Sequence, residues 1–490
     1  MREREMKQVV DESFDVTEIE RLIDFGTPDE ATVLDLRDIY HDTEDLRLAR
    51  SGVTVRWRDG DGWTVKLPRD ASGPLIDRDE VSFAGSAGAP PDEATALVAS
   101  FARSAGLREV ATVEHQRTTR RWRDAAGTVM ARIDDDRVRG RAGDRTTTFR
   151  EIELELAPSV PEAVVARLAE AMPHGTPAVP KVVRVLGEGA EQPPDVVAVE
   201  LGRHPTGATV IHAAIASSVL RLLQHVPLAR LGDDPEGVHQ ARVATRRLRS
   251  DLRTFAPLLE RDWSDSLRGE LAWLADELGL VRDSDVLAVR ISAALDRHAG
   301  TDPDSDGEIV AALALQRTQR REALIAHLAD ERAVALYDRL VEASRRPVLR
   351  KRADRAARSV LPRLVERSWN RLHRAVEGLE TVPTEDDLHR VRLLAKRVRY
   401  AAEAVAPGLG RRPARFASAA ATIQDSLGDL HDAAVAAAWL RSAAPELTPS
   451  AAFRAGMVAQ RLLDEAAEPG AGWRRAYKRM QRDIDWLTPG

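Results

Sequence analysis

Residues 238–253 read VHQARVATRRLRSDLR and hold five arginines and one histidine. On an α-helix, one set of these side chains falls within about 80° around the axis and forms a basic stripe. That stripe holds His239, Arg242, Arg246, Arg249 and Arg253. The stripe beside it is mostly apolar and holds Val238, Ala241, Thr245, Leu248 and Leu252. The segment therefore predicts a helix with one side in a core and a basic flank.

The same spacing recurs 150 residues later, in LHRVRLLAKRVRY at 388–400. The matching basic positions are His389, Arg392, Lys396 and Arg399. Farther along, LGLVRDSDV (278–286) and LGDLHDAAV (427–435) match at an offset of 149. Two motifs at nearly one offset predict an internal duplication, with each copy a bundle of about four helices. No acid lies on either basic stripe before Glu403, so the two stripes could line one groove.

The basic stripes also allow simpler interpretations. A solvated charged face is the ordinary one. Metal binding by His239 or His389 is weaker, because neither has a carboxylate or a second histidine at i+3 or i+4. Asp283, Asp285 and Asp432 are interpreted as helix caps or arginine partners. Nucleic-acid binding is disfavoured, because only 4% of the chain is aromatic and no groove-reading motif is present.

Charges alternate with apolar residues in several segments of the first 200 residues. In REREMK (2–7), VTVRWRDGDGWTVKLP (53–68) and REIELEL (150–156), charged side chains recur at every second position. This period predicts strands with one ionic and one apolar face. The ionic faces hold Glu3, Glu5, Lys7, Arg56, Arg58, Lys66, Glu151, Glu153 and Glu155.

Amphipathic helices are predicted at 15–25, 91–106 and 161–174, and they need apolar sheet surface to cover. If they cover the outside of a closed sheet, the ionic faces must point inward. The sequence then predicts an α+β domain with a closed antiparallel β-barrel around a charged tunnel. A sheet with its charged side in water is the alternative.

Composition divides the chain. With 490 residues it is too long for one core. Residues 1–200 carry a net charge of roughly −12 and the rest roughly +6. Glycines and prolines are frequent in 186–207, so we expect domains at 1–190 and 205–490 joined by a linker at 191–204. The helical repeats are expected at about 205–345 and 346–490.

Composition also limits the function classes. The chain has no cysteine, so a bound metal would be held by oxygen or histidine ligands, which favours hard cations such as Mg²⁺ or Mn²⁺. No run of about 18 apolar residues is evident, and the first ten residues are charged rather than apolar. A cytoplasmic protein without a membrane partner is therefore expected.

The N-terminal motifs follow a known order. After E-x-E-x-K at Glu3, Glu5 and Lys7 comes YHDTEDLRLARSGVTVRWR (40–58), and then TVKLP with Lys66. The later members of the series are Arg78, Glu80, Arg117, Asp134, Glu151, Glu153 and Lys181. Over about residues 1–190 this order resembles the CYTH, or triphosphate tunnel metalloenzyme, superfamily. One departure is His115, where many relatives carry a lysine.

The resemblance implies metal-dependent hydrolysis of inorganic triphosphate or short-chain polyphosphate by an activated water. Glu3, Glu5, Glu151 and Glu153 would hold Mg²⁺ or Mn²⁺. Glu80 and Asp134 are weaker candidates for a second ion or for orienting water, and with Glu3, Glu5 and Lys7 they form the implied catalytic set. The implied substrate-binding residues are Lys7, Arg56, Arg58, Lys66, Arg117 and Lys181. Adenylate cyclase and thiamine triphosphatase activities also occur in this superfamily.

Residues 205–490 resemble the CHAD family, which is all-helical and built from two pseudo-symmetric bundles. The resemblance rests on the paired basic motifs and implies an inorganic polyphosphate site. Its residues would be His239, Arg242, Arg246, Arg249, His389, Arg392, Lys396 and Arg399. The competing hypothesis is a non-catalytic protein that binds polyphosphate, or one that is targeted to polyphosphate granules.

Overall fold

The computed structural model describes residues 2–69, 76–172, 179–232, 234–297, 303–466 and 472–487. The chain divides into two compact units, Met1–Asp195 and Val196–Gly490. This division falls inside the predicted linker 191–204. Asp195 forms ion pairs with Arg50 and Arg103 of the first unit, whereas Val196 is buried in the core of the second.

The first unit is built on antiparallel strands. In chain order they are β1 (Arg2–Val10), β2 (Thr27–Pro28), β3 (Thr32–Asp42), β4 (Thr54–Arg58), β5 (Gly62–Pro68), β6 (Ile76–Phe83), β7 (Arg108–Arg123), β8 (Val129–Ala142) and β9 (Arg145–Leu156). Neighbouring strands follow the order β7-β3-β4-β5-β6-β1-β9-β8, and β8 pairs again with β7. The sheet thus closes into an eight-stranded barrel, as predicted, and the short β2 pairs with one end of β7.

Short helices pack against this barrel, one of them inside it. They are α1 (Thr17–Glu20), α2 (Arg47–Arg50), α3 (Asp92–Leu97), α4 (Ala99–Ala102), α5 (Glu162–Ala171), α6 (Lys181–Leu186) and α7 (Glu188–Glu191). Ile152 and Leu154 of β9 are fully buried in one cluster with Leu168 of α5. Because residues alternate along a strand, Glu151 and Glu153 face the interior. The helices are shorter than the predicted spans 15–25, 91–106 and 161–174.

Helix α6 fills part of the barrel interior. Its Val182 and Val185 belong to one apolar cluster with Tyr40, Val113 and Val138, which lie on the inner faces of β3, β7 and β8. Gly140 permits this packing, because a Cβ on that residue would lie 2.1 Å from a methyl carbon of Val185. One part of the interior is therefore apolar and filled, and the charged part lies beside it.

The second unit is all-helical, as predicted. Its helices are α8 (Gly207–Leu231), α9 (Pro235–Phe255), α10 (Arg261–Arg297), α11 (Pro303–His327), α12 (Glu331–Arg345), α13 (Ala357–Val360), α14 (Pro362–Glu377), α15 (Glu385–Leu409), α16 (Arg411–Ser426), α17 (Gly428–Ala443), α18 (Pro449–Ala466) and α19 (Gly472–Arg482).

The helix boundaries show the internal duplication. Helices α8, α9 and α10 begin 150 residues before α13, α15 and α16. Matching residues of the apolar stripes, such as Leu248 and Val398, are fully buried in one core. The copies differ at Leu427, where the second copy breaks into α16 and α17 while α10 continues as one helix.

Helix α8 is long and apolar enough to span a membrane, with a mean hydropathy of 1.2 over an 18-residue window. Half of that window is buried within the protein, where Ile211, Ile215 and Val219 belong to the helical core. The sequence expectation of no such segment was therefore too strict, although core packing accounts for this helix equally well.

Candidate active site and basic groove

The inner wall of the barrel pairs cations with carboxylates. Lys7 on β1 lies opposite Glu153 on β9, and its Nζ is 2.6 Å from Glu5 Oε1 and 3.4 Å from Glu153 Oε1. Burial opposes the charge of Lys7, but Glu5 and Glu153 raise its pKa above the usual value. Burial also raises the pKa of Glu5, yet Lys7, Lys66 and Arg78 together outweigh it and the pKa is lowered overall. Both groups are thus held charged.

Lys181, the first residue of α6, lies among three carboxylates. Its Nζ is 2.7 Å from Glu153 Oε1, 2.9 Å from Glu151 Oε1 and 2.9 Å from Asp136 Oδ2. Burial disfavours the charge of Lys181, but these carboxylates hold its pKa well above the usual value. They share the cation unequally. Burial raises the pKa of Glu151. Burial acts in the same direction on Glu153, but Lys181, Lys7 and Arg117 together outweigh it and hold the pKa of Glu153 well below its usual range.

Arg117 on β7 joins the same group of carboxylates. Its guanidinium contacts Asp134 at 2.6 Å, Asp136 at 2.7 Å and Glu153 at 3.0 Å. Asp134 also accepts a hydrogen bond of 2.7 Å from Thr119 Oγ1. The structure thus brings Asp134, Arg117 and Glu153 together, all of which the sequence motifs selected.

The remaining selected cations lie on β4 and β5. Arg58 donates two hydrogen bonds to Asp38, of 2.6 and 3.0 Å, and Arg56 lies 3.3 Å from the same carboxylate. Lys66 Nζ is 3.0 Å from Glu80 Oε2 on β6. Glu3 lies in β1, backbone-paired with Arg78 of β6, and its side chain is outside the described residues.

Sequence reasoning missed several members of this network. Asp38 and Asp136 are almost fully buried and carry ion pairs, although neither was selected. A signal was present in the sequence. Asp38 lies two residues before Tyr40, and Asp136 lies two residues after Asp134, so each pair shares one face of its strand. Arg132 was also missed, and it contacts Asp134 and Glu155.

The oxygen donors of the barrel suit a hard cation. Among the described side chains, however, no group of three or more carboxylates or imidazoles is close enough to hold a metal ion. The ammonium groups of Lys7 and Lys181 lie between the predicted ligands Glu5, Glu151 and Glu153. The Oε1 atoms of Glu5 and Glu151 are buried and accept no hydrogen bond of good geometry. These carboxylates therefore surround positive charge already, which fits the chemistry of a cation site.

The two basic stripes of the helical unit meet. Lys396 on α15 is affected, in decreasing order, by burial, Arg246, Arg392, Arg242 and Arg399, which together lower its pKa to about 8. Two of those arginines lie on α9. Since each of them acts on Lys396, the stripes of α9 and α15 face one shared surface, the basic groove. His389 is half-buried on α15, at the position that His239 occupies on α9.

In both copies, an aspartate of the second duplicated motif contacts an arginine of the basic stripe. Asp283 on α10 lies 2.7 Å from Arg242, and Asp432 on α17 lies 3.9 Å from Arg392. A glycine lies beside each of these arginines. A Cβ on Gly279 would lie 3.8 Å from the guanidinium of Arg242, and a Cβ on Gly428 would lie 3.8 Å from that of Arg392. Asp285 instead pairs with Arg317 at 2.8 Å. All three aspartates are thus arginine partners within helices, one of the two interpretations drawn from the sequence.

A cavity of about 750 Å³ lies along this groove. Its lining includes His239, Arg246 and Arg399 from the stripes, together with Arg221, Arg247 and Tyr400, which the sequence did not single out. Acids are also present, since Arg247 pairs with Asp251 and Glu403. Burial raises the pKa of Asp251 to about 7 despite that pairing.

The chain is similar to known proteins. Family models match a CYTH domain over residues 1–176 and a CHAD domain over residues 213–441. Rv2226 and MT2285, two uncharacterised proteins of Mycobacterium tuberculosis strains, are each 29% identical over 443 residues, which cover 81% of this chain and 80% of the relative.

Solved structures are also similar to this chain. PptA from Streptomyces chartreusis is 25% identical, and the match covers 57% of this chain and 99% of that chain with a TM-score of 0.47. The CHAD domain from the plant Ricinus communis is 24% identical, with coverages of 59% and 96% and a TM-score of 0.47. The putative adenylyl cyclase HpAC1 from Hippeastrum, described as having a dominant triphosphatase activity, is 16% identical, with coverages of 37% and 94% and a TM-score of 0.23.

The two family matches follow one another along the chain without overlap, and they fall on the barrel and on the helical unit respectively. The chain therefore contains a CYTH domain, which coincides with the barrel, followed by a CHAD domain, which lies in the helical unit, as the sequence motifs predicted.

Proposed function

We propose that the barrel hydrolyses inorganic triphosphate or short-chain polyphosphate with Mg²⁺ or Mn²⁺, and that the helical unit binds longer polyphosphate. One observation carries the first part. Lys7, Lys181 and Arg117 lie around Glu153 inside a closed barrel, with Arg56, Arg58 and Lys66 on the facing strands. Arginine and lysine groups at this density suit a compact chain of phosphates.

The pairing inside the barrel favours a substrate that arrives with a cation. Triphosphate would compete with Glu5, Glu151 and Glu153 for the ammonium and guanidinium groups. Carboxylates left buried without a partner would be costly. CYTH proteins are metal-dependent, and a divalent ion held by these carboxylates would neutralise charge and lower the pKa of bound water. Lys7, Arg117 and Lys181 would meanwhile hold the phosphate oxygens and stabilise the charge that develops during transfer.

The helical groove supports the second part. Its stripes extend along two adjacent helices, and Lys396 has four arginines around it. A polyphosphate chain carries a charge on every phosphate and has no bases to recognise, so a cationic track suffices for binding. Arginine forks match phosphate oxygens.

Phosphate release from the purified full chain tests the barrel. Triphosphate, long polyphosphate, ATP and thiamine triphosphate are compared with Mg²⁺, with Mn²⁺ and with EDTA. We expect release from triphosphate that stops with EDTA. Binding of triphosphate without release under any metal would instead support the non-catalytic alternative. That alternative has one observation in its favour, since no three described carboxylates are gathered for a metal.

A salt titration tests the groove. Because polyanion binding releases counterions, we expect the affinity of the full chain for long polyphosphate to fall by roughly tenfold or more between 50 and 200 mM KCl. Binding that does not change with salt would contradict a charge-driven groove.

A further inference from the structure

A histidine lies between two buried carboxylates inside the barrel. His115 Nδ1 is 3.2 Å from Asp136 Oδ1 on β8, and His115 Nε2 is 3.4 Å from Asp38 Oδ2 on β3. The first contact satisfies hydrogen-bond geometry, and the second does not. The side chains of His115 and Asp136 are fully buried and that of Asp38 is 1% exposed.

Each of these carboxylates also holds cations of the proposed phosphate site. Asp38 receives both hydrogen bonds of Arg58 and lies 3.3 Å from Arg56. Asp136 receives two hydrogen bonds from Arg117 and lies 2.9 Å from Lys181. The contacts thus form one row across four neighbouring strands, β4, β3, β7 and β8, with the imidazole at its centre.

We propose that His115 is a positioning residue, whose ring links Asp38 to Asp136 and thereby fixes the spacing between Arg58 and Arg117. This inference rests on the proposed function of the barrel. His115 does not touch the substrate in this role, since its side chain has no exposed surface.

The chemistry of imidazole suits this position. The charged ring can donate from both nitrogens, one to each carboxylate. A neutral ring with its proton on Nδ1 would instead direct the Nε2 lone pair at Asp38. Without a donor between them, two buried carboxylates would repel each other and shift the arginines that they hold. Lysine has three donors on one nitrogen, and it could join the same two carboxylates.

The test compares His115→Phe and His115→Lys in the full chain. Triphosphate affinity is measured by calorimetry, and KM and kcat by phosphate release. We expect His115→Phe to weaken binding and raise KM by about tenfold, with a smaller change in kcat, because the hydrogen bond to Asp136 and the contact with Asp38 are lost. His115→Lys should stay within about threefold of the parent, since it restores a charged donor.

Val113→Ala is the matched control. Val113 is fully buried two residues away on the same strand face, and it packs in the apolar cluster rather than in the ion-pair row. This variant should lower the melting temperature without changing KM. If His115→Phe also lowers only the melting temperature, or if His115→Lys binds as poorly as His115→Phe, the positioning role is wrong.

A double-mutant cycle tests the link without substrate. The urea midpoints of His115→Phe, Asp38→Asn and the double variant should be non-additive, because the two side chains act as one unit. Additive midpoints would overturn the link itself. A parent that binds no triphosphate, but whose midpoints are non-additive, would overturn the proposed function and leave the link intact.

Discussion

The barrel interior and the basic groove both gather cations, but they balance them differently. Inside the barrel, Arg117 and Lys181 each contact three carboxylates. In the groove, the main influences on Lys396 are its burial and four arginines. The barrel therefore resembles a preorganised neutral network, whereas the groove keeps an excess of positive charge.

This difference has consequences for recognition. A neutral, buried network favours a ligand that replaces particular partners at fixed positions, and it is screened little by salt. A partly exposed excess of charge attracts any polyanion of suitable shape, and this attraction weakens as salt rises. Changes to the barrel should therefore act on triphosphate binding and turnover, and changes to the groove on affinity for long polyphosphate.

The largest effect is expected from Glu153→Gln. Glu153 contacts Lys7, Lys181 and Arg117, and it is one of the proposed metal ligands. A neutral amide binds a hard cation poorly and leaves the three cations short of one carboxylate. We expect metal-dependent phosphate release to fall by at least about a hundredfold, with long-chain polyphosphate binding unchanged.

Glu155→Gln is the control for that variant. Glu155 lies on the same face of β9, and a contact of 2.9 Å to Arg132 is seen. It should retain turnover within a few-fold of the parent. Equal losses of turnover in both variants would show that any carboxylate on this face supports the fold. The assignment of Glu153 as a metal ligand would then be wrong.

A smaller effect is expected from charge reversal in the groove. Arg242 and Arg246 both act on Lys396, so changing them to Glu should weaken polyphosphate binding by at least about thirtyfold, since each cation near a polyanion contributes roughly 1 kcal/mol. Triphosphate turnover should be unaffected.

Arg441→Glu with Arg461→Glu gives the same change of net charge. Both residues are exposed, on α17 and α18. If this control weakens binding as much as the groove variant, net charge alone governs affinity and the groove assignment fails. Size exclusion and circular dichroism check that each variant remains folded.

Much of the fold could be predicted from periodicity. Alternating residues such as Ile152 and Glu153 imply a two-faced strand, and the 150-residue repeat implies two copies of one helical unit. Barrel closure could be argued because helices had to cover the apolar faces. The seating of α6 inside the barrel could not, since it depends on Gly140 and Val185 meeting across distant segments.

The site was predicted where motif residues share a strand face, as for Glu151 and Glu153. Asp38 and Asp136 were missed because they share the two-residue spacing of the inward strand faces but are not members of the sequence motifs. The partners of Arg242 and Lys396 could not be found either, since a helical stripe shows which residues align but not which helix lies opposite. The ion pairs of the barrel and the clustering of cations in the groove depend on tertiary contacts, which the sequence pattern does not show.

The smallest expected effect is the pH dependence of polyphosphate binding in the groove. In the free protein, burial and the neighbouring arginines lower the pKa of Lys396 to about 8. Bound polyphosphate would favour the charged ammonium, so binding should take up a proton above that pH. Affinity should then fall by about five- to tenfold between pH 7 and pH 9, as the free lysine loses its charge.

Folding stability should change in the opposite direction. The lysine of the unfolded chain titrates near 10.5, so between about pH 8 and pH 10.5 the unfolded state binds more protons than the folded state. The contribution of Lys396 to the free energy of unfolding therefore rises with pH in that window. Lys396→Arg keeps its charge and should lose both effects: its polyphosphate affinity, measured at constant ionic strength, should stay level from pH 7 to pH 9. If the affinity of Lys396→Arg declines as much as that of the parent, the titrating group is not Lys396. The crowding of cations that distinguishes the groove from the barrel would then lie at another residue.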